Sequence, residues 1–339
     1  MLSVVAEQAA AQLDADAAAI LLHNPRTHML EFAAGHGFRT RVVEQSRVRL
    51  GDGVAGEAAL SRRTRSAPDL AADSSGFARA LQASGEAFVS HYAAPLIAKG
   101  KIKGVLEVFY REHAALDAEW LEFLETLAVQ AAIAIDNASL FADLQRSNAD
   151  LALAYDATIE GWATALELRD RDTRGHTLRV TEQTLDLAQA VGMRDEQIVH
   201  LRRGALLHDI GKLGVPDAIL HKPTPLTDDE WRVMRRHPQL AYDMLTPIVY
   251  LRPALDIPYC HHEKWDGTGY PRGLAGDNIP LAARVFAVAD VWDALTNDRP
   301  YRAAWPAAQA LEYIEAQAGS HFDPQVTAVF LNAARRRNL

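Results

Sequence analysis

The apolar pattern of this chain changes period along its length. In the first third, HMLEFAAGHG (28–37) alternates in the manner of a strand and stops at glycine, after DADAAAILLHN (14–24), which carries helical character. Residues 91–110, HYAAPLIAKGKIKGVLEVFY, read as two apolar strands joined by a Lys-Gly-Lys turn. An α+β sheet domain ending in that hairpin is predicted. In the second half, TLRVTEQTLDLAQAVGM, EQIVHLRRGALLHDIGK, DDEWRVMRRHPQLAYDML, PLAARVFAVADVWDALT and PAAQALEYIEAQ place apolar residues at steps of three and four. Breaks such as GVPDAILHKPTPLTDDE separate them, so an all-helical bundle is predicted there.

Between the halves, Val105 to Glu160 contains neither glycine nor proline, and from Asp117 onward the residues are good helix formers. One long helix, or two in tandem, is expected to join the domains. Leu140, Leu144 and Leu151 fall at steps of four and seven on one stripe, interrupted by Ser147. Such a stripe suits a parallel dimeric helix and hence a homodimer; packing on its own domain is the alternative. The expected limits are 1–138 for the sheet domain, 139–160 for the linker helix and 161–339 for the helical domain.

With 339 residues, 49% hydrophobic and 23% charged, two cores are expected rather than one. A net charge of -9 argues against broad nucleic-acid binding and leaves a local basic pocket for a small anion open. Cys260 is the sole cysteine, which excludes an intrachain disulfide and a thiolate-rich zinc site and suits a reducing cytoplasm. The N-terminus lacks a basic stretch and carries Glu7, Asp14 and Asp16, and no run of about 18 apolar residues occurs. Neither a signal peptide nor a membrane span is expected. The chain opens directly in its first helix, which leaves a further segment upstream open.

Chemistry concentrates in two stretches, His208-Asp209-Ile210-Gly211-Lys212 and His261-His262-Glu263-Lys264-Trp265-Asp266-Gly267-Thr268-Gly269-Tyr270-Pro271. Adjacent His-Asp and adjacent His-His offer four nitrogen and carboxylate ligands, a density that is costly inside a fold unless a cation neutralises it. A single buried histidine is more often satisfied by a hydrogen bond, and a single His-Asp pair is weak evidence. Ligands without sulfur suit iron, manganese or zinc. Lys212, four residues beyond His208, would share its face on a helix. Gly267, Gly269 and Gly273 permit positive φ, Pro271 stiffens the loop, and Trp265 and Tyr270 are expected to pack it on its own domain.

HDIGK, then HHEKWDGTGYPRGL, then IPLAARVFAVADVWDALTNDRPYR follow in the order and spacing of the HD-GYP family of cyclic dinucleotide phosphodiesterases, which the chain resembles over residues 155–335. The first half is similar to a GAF domain through its initial helix, LGDGVAGEAALSRRTRSAPDL (50–70), the APLIAKGKIKGVLEVF hairpin and the closing helix. The resemblance implies a metal set of Asp172, His176, His208, Asp209, His237, His261, His262 and Asp290, holding two or three divalent ions, iron or manganese. It implies hydrolysis of cyclic di-GMP to pGpG and on to GMP, with Asp209 and Lys212 catalytic and Lys212, Arg299 and Arg302 binding substrate phosphate. Ala241 stands where HP-x-x-G commonly has glycine, and Asp172 where three-metal members carry glutamate. The second departure leaves the number of ions open. A GAF domain implies an unidentified small-molecule ligand or a dimerisation role; the single histidines His23, His28, His36, His91 and His113 read as surface or packing residues. His200, His221 and His321 match no ligand position and are assigned to structure or surface. Hydrolysis of another cyclic dinucleotide or nucleotide, and a non-catalytic metal-centred signalling adaptor, are the rival readings.

Overall fold

A computed structural model describes residues 2–73, 75–113, 117–170, 175–298 and 303–336. The chain forms two compact units, Met1–Ala149 and Asp150–Leu339.

The first unit comprises α1 (Leu2–Gln12), β1 (Ala17–Asn24), β2 (Met29–His36), β3 (Arg47–Arg49), α2 (Gly53–Ser61), β4 (Arg65–Ala67), α3 (Gly76–Ala83), β5 (Ser90–Ala98) and β6 (Lys101–Tyr110). The strands form one antiparallel sheet in the order β3-β2-β1-β6-β5-β4. DADAAAILLHN, helical by residue type, is instead the central strand β1: both its edges are paired and Ala17–Leu21 are fully buried. Tertiary pairing overrides the helix preference of alanine there. β5 and β6 close through Lys99 and Gly100, at φ 49° and 71°, a two-residue turn whose twist matches the strands.

One sheet face, including Ile20, Leu96, Leu106 and Val108, packs under α1 and the first turns of α4 (Ala118–Asp170) through Leu124, Ala128 and Ala132. The opposite face carries two separate apolar clusters, one with Ala78 and Leu81 of α3 and one with Ala55, Ala58 and Ala59 of α2. α4 is a single 53-residue helix, begun where Asp117 accepts from the Trp120 N–H at 2.9 Å. Among the described residues it is the one helix long and apolar enough to cross a membrane by length and composition. Some of its apolar positions serve two protein cores, the sheet face above and, through Ile159, Ala163 and Leu166, the second unit, while others, Val129 and Ile133 among them, are exposed. Leu140, Leu144 and Leu151 are 48%, 58% and 52% exposed, so the stripe is not packed on its own chain.

The second unit is helical: α5 (His176–Val191), α6 (Asp195–Leu206), α7 (Asp217–Leu220), α8 (Asp228–Met234), α9 (His237–Leu245), α10 (Asp256–Cys260), α11 (Leu281–Thr296), α12 (Ala307–Ala316) and α13 (Pro324–Arg336). Its core gathers around α11, where Val285, Phe286 and Val288 are fully buried against α5, α6 and α12. Two expected helices are broken. EQIVHLRRGALLHDIGK leaves the α-helix at Leu206 and continues as a 3-10 turn over Ile210–Gly214, and DDEWRVMRRHPQLAYDML divides before His237. A Cβ on Gly211 would stand 1.9 Å from the His237 carbonyl oxygen, so the turn lies directly against α9, beside the fully buried Ala241.

Candidate metal centre

Helix ends supply most of the ligands. His176 opens α5, His208 and Asp209 follow α6, His237 opens α9, His261 and His262 follow α10, and Asp290 comes from within α11. The fold brings these seven together. Asp209, His237, His261 and His262 form one group and His176, His208 and Asp290 another, with ligand atoms in each lying within 4.8 Å of one another. Asp209 joins the groups: its Oδ2 is 3.1 Å from His208 Nε2, and its Oδ1 is 3.4 Å from His237 Nε2 and 3.8 Å from His261 Nε2.

Each of four histidines is oriented by its other ring nitrogen. His208, His237 and His261 place Nδ1 at 2.8, 2.9 and 3.0 Å from the carbonyls of Ala205, Met234 and Ile257. His176 places Nδ1 2.6 Å from Asp293 Oδ2. Carbonyl and carboxylate oxygens only accept, so these Nδ1 atoms carry the hydrogen, and in the neutral rings of His237 and His261 the Nε2 lone pairs point inward. His237 and His261 thereby aim two lone pairs at each other across 3.2 Å. Burial, with neighbouring imidazoles, holds His261 well below the ordinary histidine range, and burial lowers His262 to about 3. Neutral lone pairs that close repel unless a cation lies among them, so the donors fit a divalent metal site. Burial opposes ionisation of Asp209, yet Lys212, His208 and His237 keep it well below the usual carboxylate range.

Lys212 sits in the 3-10 turn, three residues after Asp209. Its Nζ is 2.7 Å from Asp209 Oδ2 and 2.6 Å from Asp170 Oδ2. Asp170 is the last residue of α4, and its neighbour Arg169 donates to the carbonyls of Lys212 and Val215 at 3.1 and 2.9 Å. The long helix therefore ends by gripping the turn that holds Lys212. Sequence reasoning missed Arg169 and Asp170, and also Asp293, which accepts from Arg179 Nε at 2.9 Å while supporting His176. The available signal was DVWD, with Asp293 one turn beyond Asp290 on α11. Glu263 was missed too: buried, it accepts the backbone N–H groups of Arg272 and Leu274 at 2.8 and 2.9 Å and pins the Gly-Tyr-Pro loop.

In that loop Gly267 and Gly273 have positive φ. Gly269 does not; it is needed because a Cβ would fall 2.3 Å from Lys264 N. Tyr270 stacks on His262 with centroids 4.7 Å apart, and Trp265 lies beneath Arg284, so both aromatics pack within the domain. His321 stacks on Phe322 and stays outside the ligand groups. Asp172, Arg299 and Arg302 lie outside the described residues.

An antiparallel-sheet unit followed by a helical unit built round a His/Asp metal centre defines the class, a GAF-type domain ahead of an HD-type metal site. Residues 162–326 match the HD domain family and residues 1–136 the GAF domain family. The chain thus carries a GAF domain and an HD domain, the latter with the HDIGK and HHEKWDGTGYP stretches that resemble the HD-GYP form. It is 42% identical over 176 residues to the cyclic di-GMP phosphodiesterase response regulator RpfG of Xanthomonas campestris, covering 51% of this chain and 47% of that protein. A cyclic di-GMP phosphodiesterase of Pseudomonas aeruginosa is 45% identical over 50% of this chain and 41% of its own length. The 3'3'-cGAMP-specific phosphodiesterase 2 of Vibrio cholerae is 34% identical over 68% of this chain and 43% of its own. The chain thus spans under half the length of each of these relatives.

Proposed function

We propose that this chain is a metal-dependent phosphodiesterase that hydrolyses cyclic di-GMP to pGpG and then to GMP, acting in the cytoplasm under control of its GAF domain. The observation that carries the proposal is the convergence of seven His and Asp side chains into two ligand groups joined by Asp209. Two divalent ions, iron or manganese, are held by these groups, with Asp172 the ligand for a third. When bound, such ions activate water and withdraw charge from a phosphodiester.

The chain's own residues have separable tasks. Asp209 spans the two groups, and Asp293 fixes the ring of His176. The Lys212 ammonium has three N–H donors; Asp209 and Asp170 take two, leaving one for a non-bridging phosphate oxygen. Arg299 and Arg302 serve the substrate's other phosphate. In the reaction the water oxygen bonds to phosphorus, the P–O3′ bond breaks, and the proton lost from water balances the one gained by the leaving 3′ oxygen. The exposed leucines of α4 form the seam of a homodimer.

The Vibrio cholerae relative named for 3'3'-cGAMP matches over 68% of this chain and favours that dinucleotide as a second reading. The test is anaerobic purification, reloading with Fe(II) or Mn(II), and chromatographic separation of products from cyclic di-GMP, 3'3'-cGAMP and cyclic di-AMP. Conversion of cyclic di-GMP to pGpG and GMP is expected. Faster turnover of 3'3'-cGAMP moves the assignment to the second reading, and no turnover of any of the three leaves a signalling adaptor.

A further inference from the structure

The sheet unit contains a cleft of about 600 Å³ that the metal centre does not use. Its volume lies in the range of small-molecule sites, about 300–1,000 Å³. Apolar side chains, Leu22, Ile102 and Ile135, line it beside the cations Arg62, Lys101 and Lys103. Lys103 is neutralised by Asp136 at 2.5 Å, and Lys99 shares that carboxylate at 3.2 Å. Arg62 and Lys101 have no acidic partner among the described residues. His23 also lines the cleft, and its Nε2 is buried without a hydrogen-bond partner. Arg62 and Lys101 are exposed at the rim; in a chain of net charge -9, two cations without an acidic partner and a buried ring nitrogen without a hydrogen bond, set beside an apolar floor, suit an anion with an apolar body.

We propose that this cleft binds an organic phosphate, the phosphate held by Arg62 and Lys101 and the apolar body lying on Leu22, Ile102 and Ile135. A guanidinium fork and an ammonium suit phosphate oxygens, and His23 supplies a polar contact on the same cleft. The position has a regulatory consequence. Ile135 and Ser139 of α4 form one wall, so an occupant packs on the helix whose last residues grip the Lys212 turn. This site and its ligand class do not depend on the phosphodiesterase reading.

The test is hydrogen exchange on the full chain with GMP as probe, against guanosine and inorganic phosphate. GMP is expected to slow exchange in peptides covering 22–25, 101–103 and 135–139, beyond either control. The double variant Arg62→Glu/Lys101→Glu should need at least about tenfold more GMP for the same protection, while its initial rate of hydrolysis, before GMP accumulates, is unchanged. Protection confined to peptides of the metal centre overturns the proposal and leaves the function reading intact. Equal protection by guanosine, or full protection in the double variant, also overturns it. So does a wild-type dimer in which these peptides are already protected and which the double variant dissociates, since a second copy then fills the cleft.

Discussion

In the sheet unit the buried carboxylate of Glu107 lies 2.9 Å from His91, whose ring stacks on Phe109 at 4.3 Å, yet neither ring nitrogen and neither carboxylate oxygen makes a hydrogen bond. In the helical unit the buried Asp209 faces His208, His237 and His261 together with Lys212. One carboxylate with one imidazole is a single close contact, set among apolar and aromatic neighbours. One carboxylate among several imidazoles whose other nitrogens are already committed leaves inward lone pairs with no donor to meet them. The comparison separates a lone buried ion pair from a cluster of converging donors that prepares a place for an ion.

Substitutions can break that contrast, and the largest effect falls at Asp209. Asp209→Ala removes the ligand shared by both groups and should abolish cyclic di-GMP hydrolysis and metal retention while circular dichroism still reports a folded helical protein. Retained turnover would place the chemistry elsewhere. Lys212→Ala leaves the ligands in place but removes a phosphate donor; kcat should fall by about 10²–10³-fold, with metal content by elemental analysis unchanged. Asp293→Asn should weaken metal binding by about 10–100-fold, because His176 loses its orienting carboxylate, and excess Mn(II) should restore the rate. Failure of excess metal to rescue would give Asp293 a role other than positioning.

The sheet unit should respond in the opposite sense. His91→Phe keeps the ring stack but strips Glu107 of its partner, so thermal unfolding of this unit should show a loss of about 1–3 kcal/mol, with hydrolysis per folded molecule unaltered. A change in metal content would remove the distinction between the two kinds of buried pair. The smallest effect on the chemistry itself is expected from Leu140→Lys with Leu144→Lys. Light scattering should report a shift from dimer toward monomer, since charge is placed in an apolar seam. A dimer of unchanged mass would remove the seam.

Sequence and structure part company in instructive places. The helical periodicity of the second half was legible because amphipathic stripes repeat over many residues, and the long helix was legible from the absence of glycine and proline. β1 was not, because five consecutive buried residues, three alanines followed by Ile20 and Leu21, show no alternation: strands pair on both sides of it and cores cover both faces. HDIGK was read onto a helix, whereas it enters a tighter turn whose Gly211 lies against the His237 carbonyl. That contact joins residues 26 apart and has no local signature. The His-His and His-Asp pairs stand out in the chain as dense polar clusters. Asp293, Asp170 and Glu263 do not, because each acts by holding a neighbour whose identity only the fold supplies.

Metal stoichiometry tested against activity addresses the central claim most directly. Full-length protein, purified without oxygen, stripped by chelation and retitrated with Fe(II) or Mn(II), should bind at least two ions per chain. Cyclic di-GMP hydrolysis should be absent in the stripped protein and rise in step with occupancy of the two His/Asp groups. Full turnover by the stripped, folded protein, or no ion bound under titration, would contradict it.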